Sequence, residues 1–174
     1  KEVTIVEFGV AAGAGLLNMA YIAKDVTKAT GVIFRIIGMD SGKGMPPPVD
    51  YRDHPDLYSE GDFIMDLKAL KDKMPKEVTL IIGELKDTIP ELVKKISPES
   101  PLGYICLDVD YYSSSKVALT CLEGDAVNYL PIVYIYLDDL EDSAHNTNCG
   151  ELLAIKESND IIFPRITERH KFLR

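Results

Sequence analysis

Five dense apolar runs alternate with amphipathic stretches along the chain, and this alternation limits the possible folds more than any other feature. The runs are rich in Val, Ile, Leu and aromatic residues, which is typical of strands buried on both faces. Strands that alternate with helices favour a parallel sheet wrapped by helices. The predicted strands are residues 3–8, 33–39, 78–82, 102–107 and 132–137.

The stretches between these runs predict helices at residues 15–27, 61–73, 88–95, 115–128 and 150–157. Two short strand-like pieces follow, at residues 160–166 and 170–173, and the charged residues between them indicate a closing hairpin. The sequence therefore predicts an α/β fold of the Rossmann-like, doubly wound type. Its sheet would be mostly parallel and seven-stranded, with helices on both faces and a C-terminal antiparallel hairpin.

Length and charge narrow the class of protein. With 174 residues, 46% of them hydrophobic, the chain can bury one sizeable core, so we predict a single domain over residues 1–174. No apolar run approaches the roughly 20 residues needed to cross a bilayer, and we expect a cytoplasmic protein without membrane contact. The net charge of −9, without a cluster of Lys and Arg, argues against a nucleic-acid partner.

The chain opens on Lys1 and enters a strand without a preceding helix. We therefore expect a longer natural protein to carry part of a substrate lid upstream. The sequence leaves the oligomeric state open, and a homo-oligomer is one of the states that it allows.

A glycine-rich turn follows the first predicted strand, where Glu7 precedes Gly9 and Gly13 and a helix begins. Glycines let the backbone turn tightly and approach a ligand closely, while the helix amino terminus offers unpaired N–H groups. A carboxylate just before the first glycine suits the positively charged amino group of a sulfonium amino acid better than a pyrophosphate. The turn therefore predicts a cofactor site, with a plain tight turn as the alternative.

Asp40 ends the second predicted strand. A carboxylate there can accept hydrogen bonds from two ribose hydroxyls, whether these belong to S-adenosylmethionine or to NAD, and a helix-capping role is the alternative. Residues 42–60, which contain four prolines, form a long irregular connection after the same strand end. Loops at this edge of a parallel sheet carry ligands, so we predict that residues 42–60 are a functional flap.

Two aspartate pairs follow the fourth and fifth predicted strands. Asp108 and Asp110 follow the fourth strand, and Asp138 and Asp139 follow the fifth. Because neighbouring parallel strands end side by side, we expect the four carboxylates to lie near a common point. Carboxylates crowd together at high cost without a cation, and oxygen ligands favour a hard ion such as Mg²⁺. The alternative is that one or two of them only cap the following helices.

His145 lies in a polar loop after the second aspartate pair. Imidazole titrates near neutral pH, which makes His145 a candidate general base. A solvated loop histidine is the alternative.

The order and spacing of these segments resemble the macrocin O-methyltransferase family of class I S-adenosylmethionine-dependent methyltransferases. The resemblance covers most of the chain. The first motifs are EFGV at 7–10 with a later Gly13, GMDS at 38–41, GMP at 44–46, IGE at 82–84 and DTIP at 87–90. The most specific are DVDYY at 108–112, SSK at 114–116 and DD at 138–139, with Gly150 opening a helix.

This resemblance implies methyl transfer from S-adenosylmethionine to a hydroxyl of a small molecule, often a sugar on a natural product, with Mg²⁺ organising the acceptor. The residues that would hold the cofactor are Glu7, Gly9, Gly13, Asp40, Ser41, Gly83 and Asp108. The implied metal ligands are Asp108, Asp138 and Asp139. The candidate catalytic residues are Asp108, Asp110 and His145.

Two other functions fit part of the pattern. An NAD-dependent oxidoreductase would account for the glycine-rich turn and Asp40, but not for the aspartate pairs or the closing hairpin. A non-catalytic or degenerate cofactor-binding domain would keep the fold. Gly42 and Lys43 stand where the macrocin O-methyltransferase family usually has an aromatic and an acidic residue. This difference favours the degenerate cofactor-binding domain.

Overall fold

Five parallel strands form the sheet of the computed structural model, which describes residues 2–139, 146–161 and 165–170. The strands are β1 (Glu2–Phe8), β2 (Ile33–Asp40), β3 (Val78–Ile82), β4 (Leu102–Leu107) and β5 (Tyr129–Leu137). Their order across the sheet is β3-β2-β1-β4-β5, and every neighbouring pair is parallel. The five predicted strands are thus confirmed, although β5 begins earlier than the apolar run indicates.

Five helices cover the two faces of this sheet. They are α1 (Ala14–Thr30), α2 (Leu67–Lys73), α3 (Leu85–Lys95), α4 (Tyr112–Leu119) and α5 (Gly150–Ile161). Short 3₁₀ turns occupy Tyr51–Asp53, Thr120–Leu122 and Ala126–Asn128. None of the helices in the described ranges has an apolar stretch that could span a bilayer.

Alternate residues of each central strand enter two different cores, because successive side chains of a strand point to opposite faces. Ile5 of β1 and Ile36 of β2 pack with buried residues of α1 and α2. Phe8 of β1 and Ile37 of β2 pack on the opposite face with α3, α4 and α5. The chain is therefore doubly wound, as the alternation of strands and helices predicts.

Two predicted helices differ from those in the structure. The helix predicted from Gly61 begins only at Leu67, because Gly61 (φ 84°) and Phe63 (φ 60°) have left-handed backbone and Asp66 caps the first turn. The Asp66 carboxylate accepts the N–H of Ala69 at 2.9 Å. The helix predicted at 115–128 is α4, beginning earlier and ending at Leu119, followed by two separate 3₁₀ turns.

The predicted seven-stranded sheet and closing hairpin do not occur in the described part of the chain. Residues 160 and 161 complete α5, residues 165–170 contain no strand, and residues 162–164 and 171–174 lie outside the described residues. The Asn159 side chain bonds both the N–H and the carbonyl of Thr167, at 2.7 and 2.8 Å. The Arg165 guanidinium donates to the carbonyls of Leu122 and Gly124. These contacts hold residues 165–167 in an irregular conformation, although their β-branched residues favour a strand.

The direction of winding reverses between β1 and β4, which are adjacent at the centre of the sheet. Such a switch point opens a crevice outside the carboxyl ends of the strands, where ligands bind in open α/β folds. The flap, residues 42–60, begins at this edge and returns across it, since Met45 exchanges backbone hydrogen bonds with Gly61 and Asp62 at 2.9 and 2.8 Å.

Candidate functional site

A cavity of about 680 Å³ lies at the carboxyl edge of the sheet, in the size range of small-molecule sites. Residues that follow each of the five strands contribute to its wall, and the flap covers one side. The predicted site residues that line it are Gly9, Asp40, Ser41, Asp108, Asp110, Asp138 and Asp139.

Gly9 brings the turn after β1 against the end of β4. Its φ is 83°, and a β-carbon there would lie 1.7 Å from the carbonyl oxygen of Asp108. Gly13 (φ 84°) has a packing role, because a β-carbon at this position would lie 2.2 Å from Cδ1 of Leu70 in α2. Gly13 does not line the cavity, and only Gly9 of the two offers backbone to a ligand.

Asp40 braces the same turn through its side chain. Its Oδ2 accepts the N–H groups of Val10 at 2.8 Å and Ala11 at 2.9 Å. Its Oδ1 accepts the N–H of Gly42 at 2.6 Å. A carboxylate has about four acceptor positions, so one remains for a ligand hydroxyl. Asp40 can therefore order the cofactor turn and bind one hydroxyl directly.

Glu7 lies beneath the turn and is not on the cavity wall. It is 1% exposed, and a β-carbon at Gly15 would lie 2.8 Å from its Oε1. Burial raises the pKa of Glu7 to about 8, and the negative charge of Asp108 adds to this rise. A hydrogen bond from the backbone of Leu16 lowers the pKa and partly opposes it. Within the described residues its Oε2 accepts no hydrogen bond. The structure thus places Glu7 as a support for the start of α1.

Asp108, Asp110, Asp138 and Asp139 form an acidic centre on one wall of the cavity. Burial raises the pKa of Asp108 to about 6, and the charges of Asp138 and Asp139 add to this effect. Burial also raises the pKa of Asp110, and its interaction with the neighbouring Asp139 carboxylate is the next cause. The backbone of Asp110 is left-handed (φ 54°), an uncommon state for any residue except glycine.

Glu151, in the first turn of α5, adds a further carboxyl behind this centre. It is 2% exposed, and its Oε1 accepts the N–H of Val109, between the two aspartates of the first pair, at 3.4 Å. Burial, and then the charge of Asp139, raises the pKa of Glu151 to about 9. Burial therefore favours the protonated form of Glu151 at neutral pH.

The geometry of these carboxyl groups does not amount to a formed metal site. Across residues 2–139, 146–161 and 165–170, no three His, Cys, Asp or Glu side chains are grouped so that they could hold a metal ion. The structure brings the four aspartates to one wall without arranging them around a point.

Three other predicted site residues have different placements. The Ser41 hydroxyl donates to the carbonyl of Gly44 at 3.1 Å and orders the start of the flap. Gly83 donates its N–H to the carbonyl of Asp40 at 2.9 Å and does not line the cavity. His145 lies outside the described residues.

Several solved structures have a similar fold. One is the calicheamicin methyltransferase CalS11, with a TM-score of 0.68 and 21% identity over 90% of this chain and 64% of that chain. Another is apo CalS11, a TDP-rhamnose 3'-O-methyltransferase of calicheamicin biosynthesis, with a TM-score of 0.61 and 18% identity over 91% and 64%. The O-methyltransferase NovP has a TM-score of 0.50 and 21% identity over 69% and 51%.

The fold is the one found in these O-methyltransferases. This chain covers less than two thirds of the length of either protein, 64% of CalS11 and 51% of NovP. No protein-family model and no curated protein matches the sequence.

Several residues at or near this cavity carry no signal in the sequence. Tyr58 and Phe63, from the flap and the turn after it, form part of the wall, and their ring centroids are 6.3 Å apart. Asp53 is 1% exposed and Glu151 is 2% exposed, yet each occurs in a polar stretch that resembles solvated surface. Only the cluster of prolines points to the flap as a whole.

Proposed function

We propose that this protein is an S-adenosylmethionine-dependent O-methyltransferase that acts on a hydroxyl of a small molecule, a sugar or another natural product, with the help of Mg²⁺. The observation that carries the proposal is the cavity itself, where the Gly9 turn and the acidic centre meet at the switch point of an O-methyltransferase fold. The macrocin-like motifs and the sugar methyltransferase CalS11 support this class of acceptor.

The cofactor side of the cavity would be formed by the turn after β1 and by Asp40. Gly9 lets the turn lie directly against the end of β4, and the remaining acceptor position of Asp40 suits a ribose hydroxyl. Glu7 would act from below, by bonding the N–H of Leu16 and holding the start of α1 in place. Ser41 would order the chain that leads from Asp40 into the flap.

The acidic centre would hold the divalent ion through Asp108, Asp138 and Asp139. Its chemistry fits a hard cation, because all donors are oxygens, and burial followed by their mutual repulsion raises the pKa of Asp108. Oδ2 of Asp139 is also buried and accepts no hydrogen bond from the described residues.

When both are bound, S-adenosylmethionine supplies an electrophilic methyl group and Mg²⁺ lowers the pKa of the acceptor hydroxyl. The remaining task of the protein is alignment, since an in-line displacement depends on the relative position of the reacting atoms. Asp110 faces the same cavity, and its carboxylate would accept the hydroxyl proton. His145 is the other candidate for this proton.

The test is calorimetric titration of the purified protein with S-adenosylhomocysteine, with and without Mg²⁺, and with NADH as the control ligand. We expect micromolar binding of S-adenosylhomocysteine and none of NADH. Binding of NADH alone would establish the oxidoreductase alternative. A folded protein that binds neither ligand would establish the degenerate cofactor-binding domain.

A further inference from the structure

A buried carboxylate joins the flap to the helix that follows the acidic centre. Asp53 accepts the backbone N–H of Ser113 at 2.8 Å through Oδ1, and the Ser113 hydroxyl at 2.9 Å through Oδ2. The same Oδ2 accepts the N–H of Val49 at 2.9 Å within the flap. Tyr111, the residue before α4, makes no side-chain cap. Asp53 therefore supplies from the flap an acceptor for the first turn of α4.

Much of the apolar surface of the flap stays exposed. Val49, Tyr51 and Leu57 are 73, 73 and 49% exposed, whereas Asp53 is 1% exposed. A small number of buried apolar contacts is typical of segments that open locally while the rest of the protein stays folded. The attachment of the flap to α4 therefore depends strongly on the polar contact that Asp53 makes.

The two ends of the flap are tied to each other. The backbone of Met45 bonds that of Gly61 and Asp62, and left-handed glycines lie at both ends, Gly44 with a φ of 82° and Gly61 with a φ of 84°. A loop whose ends are close can move as one piece about its base. Opening of the flap would therefore break its contacts with α4 and leave its base in place.

Asp53 acts on the cavity through its partners. Val49 belongs to the flap wall of the cavity and Ser113 to the α4 wall, while Asp53 itself does not line it. Because one carboxylate binds both partners, it fixes the position of the flap wall relative to the α4 wall. Loss of this carboxylate, or of the hydroxyl of Ser113, would free the two walls to separate.

We propose that Asp53 is a positioning residue for the cavity, which holds the flap wall on α4 and must release Ser113 before a bound ligand can leave. The proposal rests on the proposed function for the identity of that ligand, S-adenosylmethionine or the S-adenosylhomocysteine formed from it. The contact between the flap and α4 stands on the structure alone.

Ser113→Ala and Asp53→Asn test the contact from its two sides. In each variant we expect the association and dissociation rates of S-adenosylhomocysteine to rise together about tenfold, with a change of less than about threefold in the dissociation constant. Surface plasmon resonance measures all three quantities. The double variant should exchange the ligand no faster than Asp53→Asn alone, because both substitutions remove the same contact.

Limited trypsin digestion measures flap opening without a ligand. The flap sequence is unchanged in Ser113→Ala, and cleavage after Arg52 should be several-fold faster in this variant than in the wild type. Asp62→Asn is the matched control, because Oδ2 of Asp62 accepts the N–H of Ser59, a bond within the same loop region that does not reach α4. It should match the wild type in cleavage and in both exchange rates.

An unchanged cleavage rate in Ser113→Ala would overturn the proposal. A weaker affinity for S-adenosylhomocysteine at an unchanged association rate would also overturn it, since that result would make the contact a static support of the wall. A wild-type protein that binds no S-adenosylhomocysteine would instead overturn the proposed function, and the cleavage rate would still decide whether the Asp53 contact holds the flap.

Discussion

The backbone of Gly9 passes so close to Asp108 that a β-carbon at Gly9 would overlap the Asp108 carbonyl oxygen, at 1.7 Å. This contact joins the turn after β1 to the turn after β4, the two strands between which the winding of the sheet reverses. The proposed cofactor turn and the acidic centre are therefore parts of one rigid unit. A change at either turn should affect the other.

Gly9→Ala tests this relationship. We expect the variant to lose several kcal/mol of unfolding free energy and to lose binding of S-adenosylhomocysteine, because both backbone strain and a steric clash oppose the native turn. Gly31→Ala is the matched control, since Gly31 also has a left-handed φ (75°) but nothing lies within 4 Å of its added β-carbon. It should cost about 1 kcal/mol. Equal losses in the two variants, measured by urea unfolding, would contradict the close approach.

Asp40→Ala should weaken binding of S-adenosylhomocysteine at least tenfold, because three backbone N–H groups lose their acceptor and the turn loosens. Calorimetry measures the affinity, and thermal unfolding measures the accompanying loss of stability. Asp66→Ala is the control, because it removes only the cap of α2 and should cost about 1 kcal/mol without a change in affinity. A variant at position 40 that binds as tightly as the wild type would rule out this role of Asp40.

Glu7→Gln should change how stability depends on pH. The pKa of Glu7 rises from 4.5 to about 8 in the folded protein, so the folded state binds this proton more tightly. The corresponding stability is fully present below pH 4.5 and is lost as the pH rises to about 8. At pH 8 the Gln variant should therefore be more stable than the wild type, by on the order of 3 kcal/mol.

Urea unfolding at pH 5 and pH 8 measures this difference for both proteins. Glu91→Gln, on the exposed side of α3, removes one negative charge from the surface and should leave the pH dependence as it is in the wild type. A Glu7→Gln protein that loses stability between pH 5 and pH 8 as steeply as the wild type would show that Glu7 is ionised in the fold.

The proposed metal site can be tested with the variants Asp138→Ala and Asp139→Ala and with the double variant. We expect turnover to lose its dependence on Mg²⁺ and Mn²⁺ binding to weaken at least tenfold, while affinity for S-adenosylhomocysteine changes little. In the wild type, Mn²⁺ binding should also weaken as the pH falls through about 6, where Asp108 takes up a proton. Retention of metal-dependent turnover in the double variant would exclude these aspartates as ligands.

Much of the fold could be predicted from the sequence. The five strands carry apolar runs because both faces of the sheet are covered. Such runs can be recognised in the sequence without knowledge of any contact. The start of α2 could not be predicted in the same way. The apolar pattern continues from Gly61, and only the left-handed backbone at Gly61 and Phe63 delays the helix until Leu67.

The sequence by itself determined which residues follow the strands, and therefore that Gly9, Asp40 and the two aspartate pairs belong to one edge of the sheet. Only the tertiary structure decided where their side chains lie. Glu7 is beneath the turn and Asp40 braces it, because burial and hydrogen bonding depend on elements far away in the chain. Asp53 shows the same limit. Its contact with Ser113 joins segments separated by 60 residues, which no local pattern records.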